Sequence, residues 1–63
     1  MQPHQQRVVD EKTELDTKRG KLAAFFKTPL FAGLPEAEQN RLSLQLNYMN
    51  LYSSVLGERI AAF

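Results

Sequence analysis

Apolar residues recur along this chain with two helical rhythms separated by a proline-punctuated break. From about Gln5 to Lys27 there is no proline, and Val8, Leu15, Leu22 and Phe26 stand 7, 7 and 4 residues apart. That spacing keeps them on one face of a helix. The stretch KTPLFAGLPE then interrupts the pattern with Pro29, Gly33 and Pro35. Pro29 disfavours helical geometry at Thr28 and ends the first helix there. Leu30, Phe31 and Leu34 are too apolar for a solvated loop and are expected to plug the closed end of a hairpin. Pro35 suits a first helical position, with Glu36 and Glu38 placed to complement a helix dipole. A second helix is therefore predicted from about Pro35 to Ala61. In it Leu42, Leu46, Met49, Ser53, Leu56, Ile60 and Phe63 follow a 4-3 alternation, the mark of a helix-packing seam.

The second helix carries another apolar line: Leu44, Tyr48, Leu51, Val55 and Ala62. At about 100° per residue this line lies nearly opposite the seam. A helix in a two-helix hairpin uses one face against its partner, so the other must meet a further chain or stay exposed. The expected fold is all-α: a two-helix antiparallel hairpin, one domain over residues 1–63, assembling into a helical homo-oligomer. Its elements are helix 1 at about 5–27, a turn at 28–34 and helix 2 at about 35–61, with residues 1–4 a disordered lead-in. Size points the same way. A chain of 63 residues is marginal as a monomer and needs disulfides, a metal or self-association. It has no cysteine, and His4 is its one histidine, so self-association remains.

Two local features qualify the first helix. Glu14 and Lys18 form an i,i+4 pair in the favourable orientation. Gly20 costs about 1 kcal/mol relative to alanine; either the helix is weak there or something packs close against the bare backbone.

Net charge is +1, which gives no general attraction to nucleic acid or an anionic membrane. Residues 1–27 hold six Lys/Arg against four acids, and residues 28–63 two against three. A small anion would be better received along the first half. The polar start MQPHQQ predicts no signal peptide, and no run approaches the roughly 20 apolar residues of a membrane span. A soluble, intracellular protein is expected. Catalysis is not: there is no cysteine nucleophile, HExxH, Gly-rich phosphate loop or His/Asp pairing. No metal and no cofactor are expected either.

Binding has better candidates. Lys12 and Arg19 fall within about 40° of the centre of the first helix's apolar stripe, and His4 projects near the same line. Their stems lie on apolar surface with the charged heads in water, or they line a pocket facing an anion. Lys18 and Lys21 flank the stripe and would extend such a surface. Arg59, beside the second apolar line, is either salt-bridged, to Glu38 or an acid of another chain, or repeated around a symmetry axis to clamp phosphates. Tyr48 and Tyr52 read as packing residues.

The run RVVDEKTELDTKRGKLAAFF, the proline-containing turn, and LPEAEQNRLSLQLNYMNLYSSVLGERIAAF together resemble the helical hairpin of phage anti-CBASS and anti-Thoeris sponge proteins, from Gln6 to Phe63. The matching elements are E-K-x-E-L-D in helix 1, K-L-x-x-F at its end, L-P-x-x-E-Q opening helix 2, and Y-S-x-V-L-G-E-R-I near the end. The resemblance implies a hexamer that binds cyclic di- and trinucleotides without cleaving them, in the cytoplasm of the infected bacterial host. It implies that dinucleotides sit between protomers against the start of helix 1 and a lysine further along, here Lys21 or Lys18. It also implies that trinucleotides sit on a threefold axis, held by a C-terminal arginine, here Arg59. The family is expected to stack an aromatic near the start of helix 1. No Phe, Tyr or Trp precedes Phe25 in this chain, so His4 would stack, and Arg7 would lie on a base or meet a phosphate.

Two other classes compete. A helical adaptor or assembly protein would use the two-faced second helix to dock a partner, with Lys12, Arg19 and Arg59 merely snorkelling or paired. A nucleic-acid binder would use the basic side of helix 1, but near-neutral charge and interleaved acids oppose it.

Overall fold

The computed structural model describes residues 1–63 and contains helices only: α1 (Pro3–Phe25), α2 (Pro29–Ala32) and α3 (Glu36–Ala61). The two long helices lie against each other, and Lys12 meets Ser53 while Arg19 meets Asn50, so they run antiparallel. The body is a rod of 45 × 15 × 13 Å.

Helix ends explain where the boundaries differ from those expected at 5–27 and 35–61. Pro3 occupies the first position of α1, where its missing N–H costs nothing. Gln5 Oε1 accepts the Gln2 backbone N–H at 2.9 Å, so the lead-in is helical from Pro3, and His4 is a helical residue. At the other end α1 stops at Phe25. The predicted turn at 28–34 holds a helix of its own. Thr28 Oγ1 donates to the Phe25 carbonyl at 2.7 Å and accepts the Phe31 N–H at 3.3 Å, which ends one helix and starts the next. Gln39 Nε2 reaches back to the carbonyls of Leu34 (2.9 Å) and Ala32 (3.2 Å), tying the turn to α3. Phe31 stacks on Phe26 with ring centroids 4.5 Å apart and meets Phe25 edge-on at 6.0 Å. Phe31 and Leu34 thus close the hairpin as expected, whereas Leu30 points outward and is 74% exposed.

The seam follows the 4-3 rhythm. Leu42, Leu46, Met49 and Ile60 are half-buried, and Ser53 and Leu56 are buried. Phe63 lies beyond the end of α3 and is half exposed. Across the seam α1 contributes Val8, buried, and Leu15, Leu22 and Phe26, half-buried. The Lys12 stem packs over Gly57, where a Cβ would meet its Cε at an ordinary contact distance of 3.5 Å. Gly20 has no comparable neighbour: a Cβ there would meet nothing within 4 Å, so nothing packs close against it in the chain. Glu14 and Lys18 make no ion pair; the three in the chain are Lys12–Asp16, Arg19–Asp16 and Arg41–Glu38.

This core is thin. Val8, Ser53 and Leu56 are the three buried residues among 63. The second apolar line of α3 faces outward, with Leu44, Tyr48, Leu51 and Val55 all at least half exposed. Accessible surface is 4732 Å², against roughly 4,100 Å² for a compact monomer of this mass.

Candidate ligand-binding surface

Three side chains of α1 and two of α3 form a polar network across the seam. Asp16 is its hub. Its Oδ2 accepts from Lys12 Nζ at 2.7 Å. Its Oδ1 accepts from Ser53 Oγ at 2.6 Å and Arg19 Nε at 3.1 Å. Lys12 Nζ also donates to Ser53 Oγ at 3.0 Å, and an Arg19 terminal nitrogen donates to Asn50 Oδ1 at 2.8 Å. The lysine ammonium, then the serine hydroxyl and the arginine, hold the Asp16 carboxyl at about 2, below its ordinary 3.8. No buried polar side-chain atom lacks a partner.

The candidate residues therefore fall into two groups. Lys12 and Arg19 lie in the seam, half-buried and committed to Asp16. His4, Arg7, Lys18, Lys21 and Arg59 are exposed, and none makes an ion pair within the chain. Glu38, one suggested partner of Arg59, instead accepts from Arg41 Nε at 3.1 Å. The structure thus leaves Arg59 unpaired at the C-terminal end of α3, three residues from its exposed apolar line.

Two grooves mark the surface. The smaller, about 230 Å³, runs between the long helices over Gly20 and is lined by Asp16, Arg19, Ala23, Leu46 and Asn50. The larger, about 480 Å³, lies along α3 between Arg41 and Tyr52, with Leu44, Gln45, Tyr48 and Met49. Sequence reasoning did not select Asp16, Ser53 or Asn50, although a Lys12/Asp16 spacing of four was visible and Ser53 stood out as the polar member of the seam. Nor did it select Arg41, or give Tyr48 and Tyr52 any role but packing; both tyrosines are substantially exposed.

No His, Cys, Asp and Glu side chains gather in threes to hold a metal ion. No helix is long and apolar enough to cross a membrane. Among curated proteins and solved structures, none matches this chain. A family model does, over residues 2–62, and by that match the chain belongs to the Sequestin family, whose name denotes sequestration.

Proposed function

We propose that this protein binds cyclic oligonucleotide second messengers, di- or trinucleotides, and holds them uncleaved as a homo-oligomer, blocking CBASS-type antiphage signalling inside the infected bacterial cell. Family membership supports sequestration as the activity. The observation that carries the choice of ligand is the set of exposed, unpaired cations: Arg7, Lys18 and Lys21 on α1 and Arg59 on α3. Unpaired Lys and Arg suit phosphodiester groups, which remain charged at any physiological pH. Oligomerisation, with the hexamer as the form implied by the family resemblance, brings such cations from several copies towards one ligand.

Lys12 and Arg19 serve this reading as supports rather than direct ligands. Their charges are engaged by Asp16, so recruiting either to a phosphate requires that pairing to be broken. The exposed groups need no such rearrangement. Sequestration without turnover also requires no general base or nucleophile among them.

The test is isothermal titration against cyclic di- and trinucleotides, with linear and mononucleotide controls, and chromatography of the ligand recovered after denaturation. Submicromolar binding with intact ligand is the expected result. No heat with any member removes the reading and leaves a helical adaptor, for which the exposed apolar line of α3 would be the docking face.

A further inference from the structure

The outward face of α3 has a symmetry of its own. Ala37, Leu44, Tyr48, Leu51, Val55 and Ala62 are spaced 7, 4, 3, 4 and 7 residues apart, a pattern that reads the same in both directions about a midpoint between Met49 and Asn50. The named residues are all exposed. A palindromic apolar line matches itself when reversed, which is the condition for isologous antiparallel pairing. Leu44 of one copy then lies opposite Val55 of the other, and Tyr48 opposite Leu51.

Charge placement adds a second observation. At about 100° per residue, Arg41 and Arg59 stand on the same rim of this face, each about 50° from its centre. A two-fold axis lying in the interface, perpendicular to the helices, reverses chain direction but keeps each rim on its own side. Arg41 of one copy therefore comes level with Arg59 of the other, within about one residue or 1.5 Å along the axis. Each dimer has two such pairs, about 27 Å apart. On the other rim Glu58 comes level with Asn40, and no cation stands near. Two arginines side by side repel unless an anion lies between them, and Glu38, which engages Arg41 at 3.1 Å through an exposed pair, offsets one charge only. The same rim holds the groove of about 480 Å³ walled by Tyr48 and Tyr52, with Arg41 at its end.

We propose that α3 pairs antiparallel with α3 of a second copy, and that the pairing completes a phosphate clamp made of Arg41 from one copy and Arg59 from the other, at the mouth of the tyrosine-walled groove. The ligand class is a phosphorylated aromatic: guanidinium groups hold the phosphate and the tyrosine rings flank a base. This assignment rests on the sequestering reading for its biological ligand, but its geometry is testable without one.

The chain has no cysteine, so introduced ones report pairing cleanly. Leu44→Cys and Val55→Cys chains are prepared separately, then mixed and oxidised. Antiparallel pairing gives the mixed 44–55 disulfide and little of either homodimer, because like sites are about 16 Å apart along the axis. Homodimer disulfides at both sites, as in parallel pairing, or no cross-link at all, overturn the pairing. The clamp is read by melting temperature in inorganic pyrophosphate against chloride at equal ionic strength. Pyrophosphate raises it for the wild-type protein, and the rise is lost in Arg41→Gln and in Arg59→Gln, while each variant still cross-links through Leu44→Cys and Val55→Cys. A pyrophosphate effect that survives Arg41→Gln overturns the clamp. Cyclic diadenylate and cyclic triadenylate separate the two levels of the argument. Binding of either that weakens about tenfold or more in Arg41→Gln supports both. Binding unaffected by that change overturns the clamp and keeps sequestration. A pyrophosphate effect with no cyclic-nucleotide binding keeps the clamp and overturns the proposed ligand.

Discussion

Replacing Gly20 by alanine should stabilise this protein. The residue lies inside α1, where glycine is disfavoured relative to alanine by about 0.8–1.0 kcal/mol because the unfolded chain gains so much freedom there. Two reasons can justify such a cost, a positive φ or a close neighbour, and neither applies. No glycine in the chain has a positive φ, and a Cβ at position 20 would meet no atom within 4 Å. The expected gain is therefore close to the full propensity difference, about 0.5–1 kcal/mol. Against a total stability of roughly 3–9 kcal/mol for a chain of this length, that is a substantial fraction, and it corresponds to a rise in melting temperature of about 2–8 °C. Urea unfolding followed by circular dichroism, with both proteins at one concentration, measures it; the midpoint should rise with an unchanged slope. A fall in stability at unchanged mass would refute the reasoning, because it would mean that the added methyl group meets something within the fold. A loss of mass in solution would instead place a second copy over the groove that Gly20 floors. A gain in stability accompanied by weaker ligand binding would assign the glycine to the ligand.

Leu56→Ala should cost about 2–5 kcal/mol, since Leu56 is fully buried in a core of three residues; a loss below 1 kcal/mol in the same urea assay would show that the seam collapses into the cavity. Leu51→Glu should leave helicity intact and dissolve the oligomer, because Leu51 is 64% exposed in the single chain and a charge there is harmful only once a partner covers it. Light scattering that finds the wild-type mass would contradict the assignment of that face. Acid should weaken the fold through Asp16. Its folded pKa, about 2, lies below the ordinary 3.8, so the stabilisation it gives is present above about pH 4 and is lost as pH falls towards 2. Comparing denaturation at pH 5 and pH 2.5 for wild type and Asp16→Asn tests the sign: the wild type should lose more on acidification than the variant.

The seam of α3 was legible because periodicity is a property of the sequence alone. Leu42, Leu46, Met49, Ser53, Leu56 and Ile60 fall at helical spacings whatever they pack against, and all are at least half-buried. The rhythm ran on past the helix end expected and found at Ala61, so Phe63 was read into a face it does not join. The helix in the turn escaped notice for a related reason: a four-residue helix is too short to show a period, and its signal was the Thr28 cap. Lys12 and Arg19 could be placed in the stripe but not given partners. Lys12 meets Asp16 four residues on, which sequence permits, and Ser53 forty-one residues on, which depends on how the two helices register. Tyr48 and Tyr52, standing amid leucines, were read as packing residues; Tyr48 is exposed on the outward line where the sequence placed it, whereas the exposure of Tyr52 had no sequence signal.

The two faces of α3 divide the work between them in an unusual order. The inner face, which makes the hairpin, contains the polar network of Lys12, Asp16, Arg19, Ser53 and Asn50, while the outer face is lined by Leu44, Tyr48, Leu51 and Val55. A charged network in a seam contributes little net stability, since desolvation offsets the attraction. Here it acts on register: sliding the helices by one turn would move Ser53 and Asn50 about 5.4 Å away from their partners and strand the ions beside Val8 and Leu56. The inner face thus selects one hairpin out of several sliding alternatives. In the proposed pairing of α3 with a second copy, association energy comes chiefly from the outer face, where apolar area is available. Association then adds to the stability of the hairpin, and its melting temperature should fall on dilution below the dissociation constant, with helicity retained at room temperature as in Leu51→Glu.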